Sequence, residues 1–348
     1  MAARLEARFE ARMQRQRFDP RRPLLVGFSH GADSTALLWL SRRWQRRVDD
    51  MPEVVAVTID HGLRATSAAD AEAARAYAES LGVRSVVVAP RLVRASETEA
   101  RAARYQAFEA QAQALDAQAV LLAHHRADQR ETVLHRFLRG TGAAGLRGMP
   151  MRRRLTTTKS GPCFVLRPLL TEEAGTLRAC VTAHGLPFVE DASNADPGHT
   201  LRNYLRHCVL CDVRLSDAVE ALRREAQAFH QAVHRELADS AHAWEGHGDC
   251  ILSLEVRDRD SPAALSPWAR EELFVRGLDR LGARRPTRQL LRRAAALLDA
   301  DTRVGKRIES TGHWSARRER QRVVLMNGLP KVRSEVLRSS SASVAPDS

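Results

Sequence analysis

The chain has 348 residues and 44% hydrophobic content, enough for real cores in two domains or three small ones, which excludes global disorder. Its formal charge is +13 and its pI about 10.6, and of 55 basic residues only Lys159, Lys306 and Lys331 are lysines. Heavy Arg and Ala usage can reflect genome composition, but an excess of this size favours a polyanionic partner such as nucleic acid.

The N-terminus, MAARLEARFEARMQRQRF, is amphipathic and Arg-rich like a transit peptide, but Glu6 and Glu10 favour an ordinary first helix. Leu24–Phe28 reads as a buried strand, SHGADS as a small-residue turn, and Ala32–Val48 as a helix with Leu37, Leu40, Trp44 and Val48 on its stripe. Further strands are expected at Val54–Ile59, Ser85–Ala89 and Ala119–Ala123, separated by helices over Ser67–Leu81 and about Thr98–Asp116. Strands alternating with helices imply an α/β fold with a parallel sheet covered on both faces, whose ligands bind beyond the C-terminal strand ends. Ser29–Ser34, Asp60–Arg64 and His124–Asp128 each follow a strand and are expected to converge on one cleft. From about Leu215 the pattern changes to long charged helices, then a weak strand CILSLEVR, helices around 265–300 and a basic stretch to Met326. The end, RSSSASVAPDS, is of low complexity and reads as a disordered tail. No apolar run is long enough to cross a bilayer. Five cysteines without a secretory signal point to a reducing cytoplasm rather than a disulfide framework.

The SHGADS turn between a strand and a helix N-terminus makes an anion site, because unpaired backbone N–H groups point outward there. Gly27 and Gly31 do not supply G-x-G-x-x-G, and no lysine follows as a kinase-type phosphate loop requires. A carboxylate beside phosphates is tolerable when a cation lies between them, so Asp33 suggests a magnesium–nucleotide site; otherwise it only complements the helix dipole. Asp128 and Glu131, three apart on a predicted helix, share one face, which suits a substrate with two ammonium groups; the alternative is a solvated helix surface. His124 and His125 close the strand ALLAHH, as nucleotide contacts, as part of an H-H-x-x-D metal site, or with one of them structural. Asp60 is read as a ligand of magnesium or ribose, or as a turn-forming Asp before Gly62. Arg101 and Arg104 are read as phosphate contacts or as an exposed face, and Arg202, Asn203 and Arg206 as a polar stripe. Cys208 and Cys211 form a CxxC inside the apolar run YLRHCVLCDV, which favours core packing. Arginine clusters at 284–293, 303–307 and 317–322 are candidates for gripping RNA phosphates, with a merely soluble surface as the alternative.

SHGADS resembles the SGGxDS signature of the PP-loop ATP pyrophosphatases, which split ATP between the α and β phosphates. Together with IDHGLR (59–64), ARAARYQAF (100–108), LLAHHRADQRETVLHRFLRGTGAAGLRGM (121–149) and EDASNADPGHTLRNYLR (190–206), it is similar to the tRNA(Ile)-lysidine synthetase family. The resemblance covers about residues 20–210 and implies a Rossmann-like PP-loop domain over 1–214. A helical linker (215–249), a mostly helical basic tRNA-binding domain (250–335) and the tail (336–348) complete the expected organisation. It further implies that ATP, with Mg²⁺, adenylates C2–O of the first-anticodon-position cytidine of tRNA(Ile) carrying a CAU anticodon. Free L-lysine then attacks C2. Ser29, His30, Gly31, Ala32, Asp33, Ser34 and His124 would bind ATP, Asp33 the magnesium, and Asp128 and Glu131 the lysine, with Asp33, Asp60, Asp128 and Glu131 catalytic. Arg101, Arg104, Arg202, Asn203 and Arg206 would contact phosphates or tRNA. His30, Ala127 and His199 depart from the family pattern. Another PP-loop tRNA-modifying enzyme, such as a thiolase, and a non-catalytic RNA-binding protein are the competing readings.

Overall fold

The expected alternation forms a parallel sheet in the computed structural model, which describes residues 2–48, 50–60, 62, 66–90, 97–190, 201–240, 244–247, 251–256, 262–283, 286–299, 301–310 and 313–327. The first elements are α1 (Ala2–Gln14), β1 (Leu24–Gly27), α2 (Ala32–Arg47), β2 (Val54–Ile59), α3 (Ser67–Ser80) and β3 (Arg84–Val88). Then come α4 (Glu97–Ala114), β4 (Ala119–Leu121), α5 (Arg126–Leu138) and the single turn α6 (Ala143–Leu146). β5 (Arg152–Thr158), β6 (Gly161–Leu166), α7 (Ala174–Ala183), the short α8 (Leu201–Tyr204) and α9 (Val213–Asp239) follow. The strand order is β3-β2-β1-β4-β6-β5, parallel throughout except for β5, which returns antiparallel along β6. The β5–β6 hairpin adds to the strands read from the sequence. Its RRRLTTT strand lacks an apolar run because it is an edge strand with exposed arginines.

Successive residues of a strand face opposite sides, and β1 serves both. Leu24 and Val26 join a core with Phe9 of α1, Leu37, Leu40 and Trp44 of α2, Ala74 and Ala78 of α3 and Leu177 of α7. Leu25 joins the opposite core, with Phe108 and Ala112 of α4, Val120 of β4 and Val165 of β6. That double burial explains why β1, β2 and β4 read as continuous apolar runs rather than alternating ones. Gly27 ends β1 where a Cβ would stand 2.8 Å from Leu122 Cδ2 and 2.9 Å from Phe108 Cζ, so α4 and β4 close in only on glycine. β2 lies on one side of β1 and β4 on the other, so chain direction across the sheet reverses there; ligand crevices open at such a reversal, beyond the C-terminal strand ends.

The chain divides into two compact units, residues 1–141 with 145–224 and residues 142–144 with 225–348. The division falls inside α9, which runs through the span expected as a helical linker. The second unit holds α10 (Pro267–Arg280) and α11 (Arg288–Ala295), as its helical pattern implies. Beside them lies an antiparallel sheet, β7 (Glu245–Gly246), β8 (Ile251–Glu255), β9 (Arg307–Ser310), β10 (Trp314–Arg318) and β11 (Arg322–Asn327), in the order β7-β8-β11-β10-β9. The stretch read only as basic therefore contains three strands, whose Ile308, Trp314, Ala316, Val323 and Leu325 enter the core with Phe274 and Leu278. Among the described residues no helix is long and apolar enough to cross a membrane.

Candidate active site

α2 starts beyond β1 with Gly31 as its N-cap, at φ −77° and ψ 162°, and no side chain accepts from its first turn. Its leading N–H groups are therefore available to an anion. Buried Ser34 ties the turn together. Its Oγ accepts from Ser29 N–H at 3.2 Å, donates to the Gly31 carbonyl at 3.0 Å, and lies 3.2 Å from Ser29 Oγ. His30 adopts φ +59°, the left-handed conformation that glycine favours, at a cost of about 1 kcal/mol for a side chain. Its ring stacks on Tyr77, centroids 5.0 Å apart and 18° from parallel, and lies 5.6 Å from Phe28. Burial pulls the imidazole below its ordinary pKa, with the Pro187 carbonyl pulling weakly the other way. The ring is committed to aromatic packing, so what His30 offers an anion is its backbone.

Asp33, in the first turn of α2, meets the end of β4 through His125, whose Nε2 lies 3.3 Å from Asp33 Oδ2. The other ring nitrogen lies 3.6 Å from Asp128 Oδ2, and that carboxylate also accepts the His125 backbone N–H at 2.8 Å, capping α5. Burial lowers the His125 pKa, but hydrogen bonding to Asp33 and the charges of Asp128 and Asp33 outweigh it, so the net shift is upward. His124 behaves oppositely. Burial, reinforced by the cations Arg167, Arg101 and Arg104 against the pull of Asp128, pushes it down to about 4. Neighbouring histidines are thus tuned apart, one towards the cation and one towards the neutral ring.

Asp128 and Glu131 do share a face of α5, and the structure brings a third predicted residue to them. Arg206 Nη2 stands 2.7 Å from Glu131 Oε2 and 3.3 Å from Asp128 Oδ1, and its Nε lies 3.2 Å from Glu131. Glu131 is buried; the Arg206 side chain is 36% exposed. Burial alone would lower the guanidinium's pKa, and the two carboxylates reverse that, holding it charged. Arg206 lies in a π-helical turn, Leu205–Val209, an irregularity that re-aims side chains and recurs at functional sites. Its observed partners are acids, beside the phosphate or tRNA contact that the resemblance implies for it. Gln129 anchors α5 beneath this pair, donating to the Met149 carbonyl at 2.8 Å and accepting Met149 N–H at 2.6 Å.

The remaining expectations divide. Asp60 follows β2 and accepts Gly62 N–H at 2.8 Å, the turn-forming role, with Gly62 at φ +62°. Arg101 lies over the Tyr105 ring at 5.4 Å, and with Arg104 it acts on His124. Asn203 is buried, whereas the Arg202 side chain, His61, Arg64 and His199 lie outside the described residues. Cys208 and Cys211 are exposed, correcting the expectation of core packing. The run is not one continuous helix, since α8 ends at Tyr204 and α9 begins at Val213, and Leu205 rather than a cysteine turns inward. Arg167 is a further residue of the site, outside the sequence motifs. It directly follows β6 and is almost fully buried, donating to the Pro150 carbonyl at 2.8 Å and to Tyr105 Oη at 3.3 Å. Its signal is a charge that abruptly closes the apolar strand CFVL. The H-H-x-x-D metal reading finds no support: among the described residues the one three-residue group with ligand spacing lies elsewhere.

A nucleotide and its magnesium fit this site chemically. The open helix end suits phosphate, and Asp33, 41% exposed beside it, offers one oxygen to an ion whose other ligands would be phosphate oxygens and water.

Residues 1–213 match the model of the PP-loop domain. A tRNA(Ile)-lysidine synthase from Bradyrhizobium sp. (strain BTAi1) is 32% identical over 340 residues, covering 92% of this chain and 90% of the relative. One from Bradyrhizobium diazoefficiens is 37% identical over 282 residues, 76% of this chain and 74% of its own. One from Alkalilimnicola ehrlichii is 38% identical over 261 residues, 73% of this chain but only 56% of the relative, so the chain spans about half the length of some relatives. With its PP-loop domain and its likeness to these relatives over most of its length, the chain belongs to the tRNA(Ile)-lysidine synthase family of PP-loop proteins.

Proposed function

We propose that the protein joins free L-lysine to C2 of the cytidine at the first anticodon position of tRNA(Ile) with a CAU anticodon, in the cytoplasm, consuming ATP and giving lysidine, AMP and pyrophosphate. The observation that carries this reading is Arg206 lodged between Asp128 and Glu131. The end of β4 accommodates a side-chain cation in a two-carboxylate socket, linked through His125 to Asp33 at the head of α2. In the first step the cytidine O2 attacks the α-phosphorus of ATP and pyrophosphate leaves. The α2 N–H groups, fixed before the reaction, stabilise phosphate charge, and neutral His124 contacts the nucleotide. A magnesium ion on Asp33 supplies the positive charge that makes carboxylate and phosphate compatible. In the second step the lysine ε-amine attacks C2, the bond from C2 to the adenylated oxygen breaks, and AMP departs with that oxygen.

The amine must be neutral to attack, and Asp128, 23% exposed against 4% for Glu131, is assigned as the carboxylate base that takes its proton. Glu131 holds lysine by charge, and Arg206 yields its place to the incoming ammonium. Asp60 is assigned to the same ion or to the ribose, and Arg101, Arg104, Arg202 and Asn203 to phosphates. The basic second unit is assigned to the tRNA body. The test mixes protein, MgATP, lysine and CAU-anticodon tRNA and analyses the anticodon nucleosides by mass spectrometry. A cytidine heavier by condensed lysine supports the reading, and unmodified cytidine with full tRNA binding would replace it with a non-catalytic RNA-binding protein.

The exposed Cys208 and Cys211 favour one other reading, a tRNA thiolase. Their double replacement by serine abolishes a thiolase and leaves lysidine formation near normal.

A further inference from the structure

The proposed reaction makes no use of a cluster in the second unit. We infer that His230, His234 and Glu272 form a binding site for a divalent transition-metal ion of the zinc class. His230 and His234 are four apart on α9 and share a face, with ring centroids 4.1 Å apart. Glu272 reaches them from α10, its Oε1 3.1 Å from His234 Nε2. One donor atom from each of the three lies within 4.8 Å of the others; His230 and Glu272 are partly buried, and the His234 side chain is 44% exposed. Around a tetrahedral zinc ion, with bonds of about 2.0–2.2 Å, neighbouring donors stand about 3.3 Å apart. The His234–Glu272 edge already has that length, and the His230 ring closes the set by a shift of no more than about 1.5 Å. Two imidazole nitrogens and one carboxylate oxygen select zinc-like ions over magnesium or calcium, which prefer oxygen alone. The fourth position is left to water or an external ligand, and the ion joins α9 to α10.

Arg276 gives this site a distinctive sign. Its Nη2 lies 3.1 Å from His234 Nδ1 and its Nε 3.9 Å from Glu272 Oε1. A guanidinium only donates, so Nδ1 accepts, and the metal-free ring carries its proton on Nε2, directed at Glu272. An ion taking Nε2 sends that proton to Nδ1, which can no longer accept from Arg276, so the guanidinium must leave. Arg276 is therefore the internal competitor of the metal.

The test is calorimetric titration of Zn²⁺ into untagged full-length protein carrying Cys208→Ser and Cys211→Ser, so that the exposed thiols supply no ligands. One ion is expected to bind. Replacing His230 and His234 by alanine should weaken binding by more than about tenfold, whereas Arg276→Gln should tighten it several-fold. Excess Mg²⁺ should not compete. Zinc affinity unchanged by the double alanine replacement, or Arg276→Gln binding no tighter than the parent, would overturn the inference.

Discussion

The guanidinium of Arg206 stands 2.7 Å from the buried carboxylate of Glu131, across 75 residues of sequence, and shares a nitrogen with Asp128. A buried carboxylate is costly unless it is paired, and Arg206 supplies the partner of Glu131 while the α5 acids hold the guanidinium charged.

Removing Arg206 should therefore expose a specific deficit. Breaking a fully buried pair costs about 3–5 kcal/mol, and because the Arg206 side chain is 36% exposed the expected loss for Arg206→Ala is nearer ~2 kcal/mol. Lysine, as an alternative cation, should restore more thermal stability to this variant than to the parent, while glycine should not. Equal shifts for both proteins in a thermal melt would disconnect Arg206 from the lysine site.

The two adjacent histidines should titrate apart in NMR, His124 near 4 and His125 above the ordinary value of 6.5. The linkage signs differ accordingly. The stabilisation from charged His125 is fully present below 6.5 and lost as pH rises through its elevated folded pKa, so the gap between parent and His125→Asn should narrow with rising pH. His124 works the other way, losing its contribution as pH falls from 6.5 towards 4. A His125 midpoint at or below 6.5 would contradict the Asp33–His125–Asp128 bridge.

At His30, backbone and ring pull in opposite directions. The left-handed φ of +59° costs about 1 kcal/mol, and stacking on Tyr77 returns about 0.5–1.5 kcal/mol. His30→Gly relieves the first and forfeits the second, so its stability should stay within ~1 kcal/mol of the parent. His30→Ala keeps the strain and loses the ring, and should be the least stable of the three in denaturant titration. An alanine variant at or above parental stability would show that the ring contributes nothing.

Gly27 offers a steric test of how tightly β1 ends against α4. A methyl group there meets Leu122 at 2.8 Å and Phe108 at 2.9 Å, so Gly27→Ala should cost about 1–3 kcal/mol. A neutral result would mean that Phe108 swings away at no cost.

Local patterns were legible and long-range partners were not. β1 to β4 and the helices between them follow from apolar runs alternating with helical stripes, and Val54–Ile59 is found to the residue. The SHGADS turn and the i, i+3 spacing of Asp128 and Glu131 are local, so they too could be read. Arg206 as partner of those acids could not, because an ion pair across 75 residues has no period. The bridging role of His125 depends in the same way on β1 and β4 being neighbours. The strands at 307–327 were hidden because arginines interrupt their apolar residues, and the exposed CxxC because a π-turn breaks the helix its spacing implied.

The most direct measurement is the lysine dependence of lysidine formation by Glu131→Gln beside the parent, with ATP varied in parallel. Losing one charge-assisted contact of about 1.5–3 kcal/mol should raise the KM for lysine by at least about tenfold and leave the KM for ATP nearly unchanged. An unaltered KM for lysine in that variant would contradict the assignment of Asp128 and Glu131 as the socket for the amino acid.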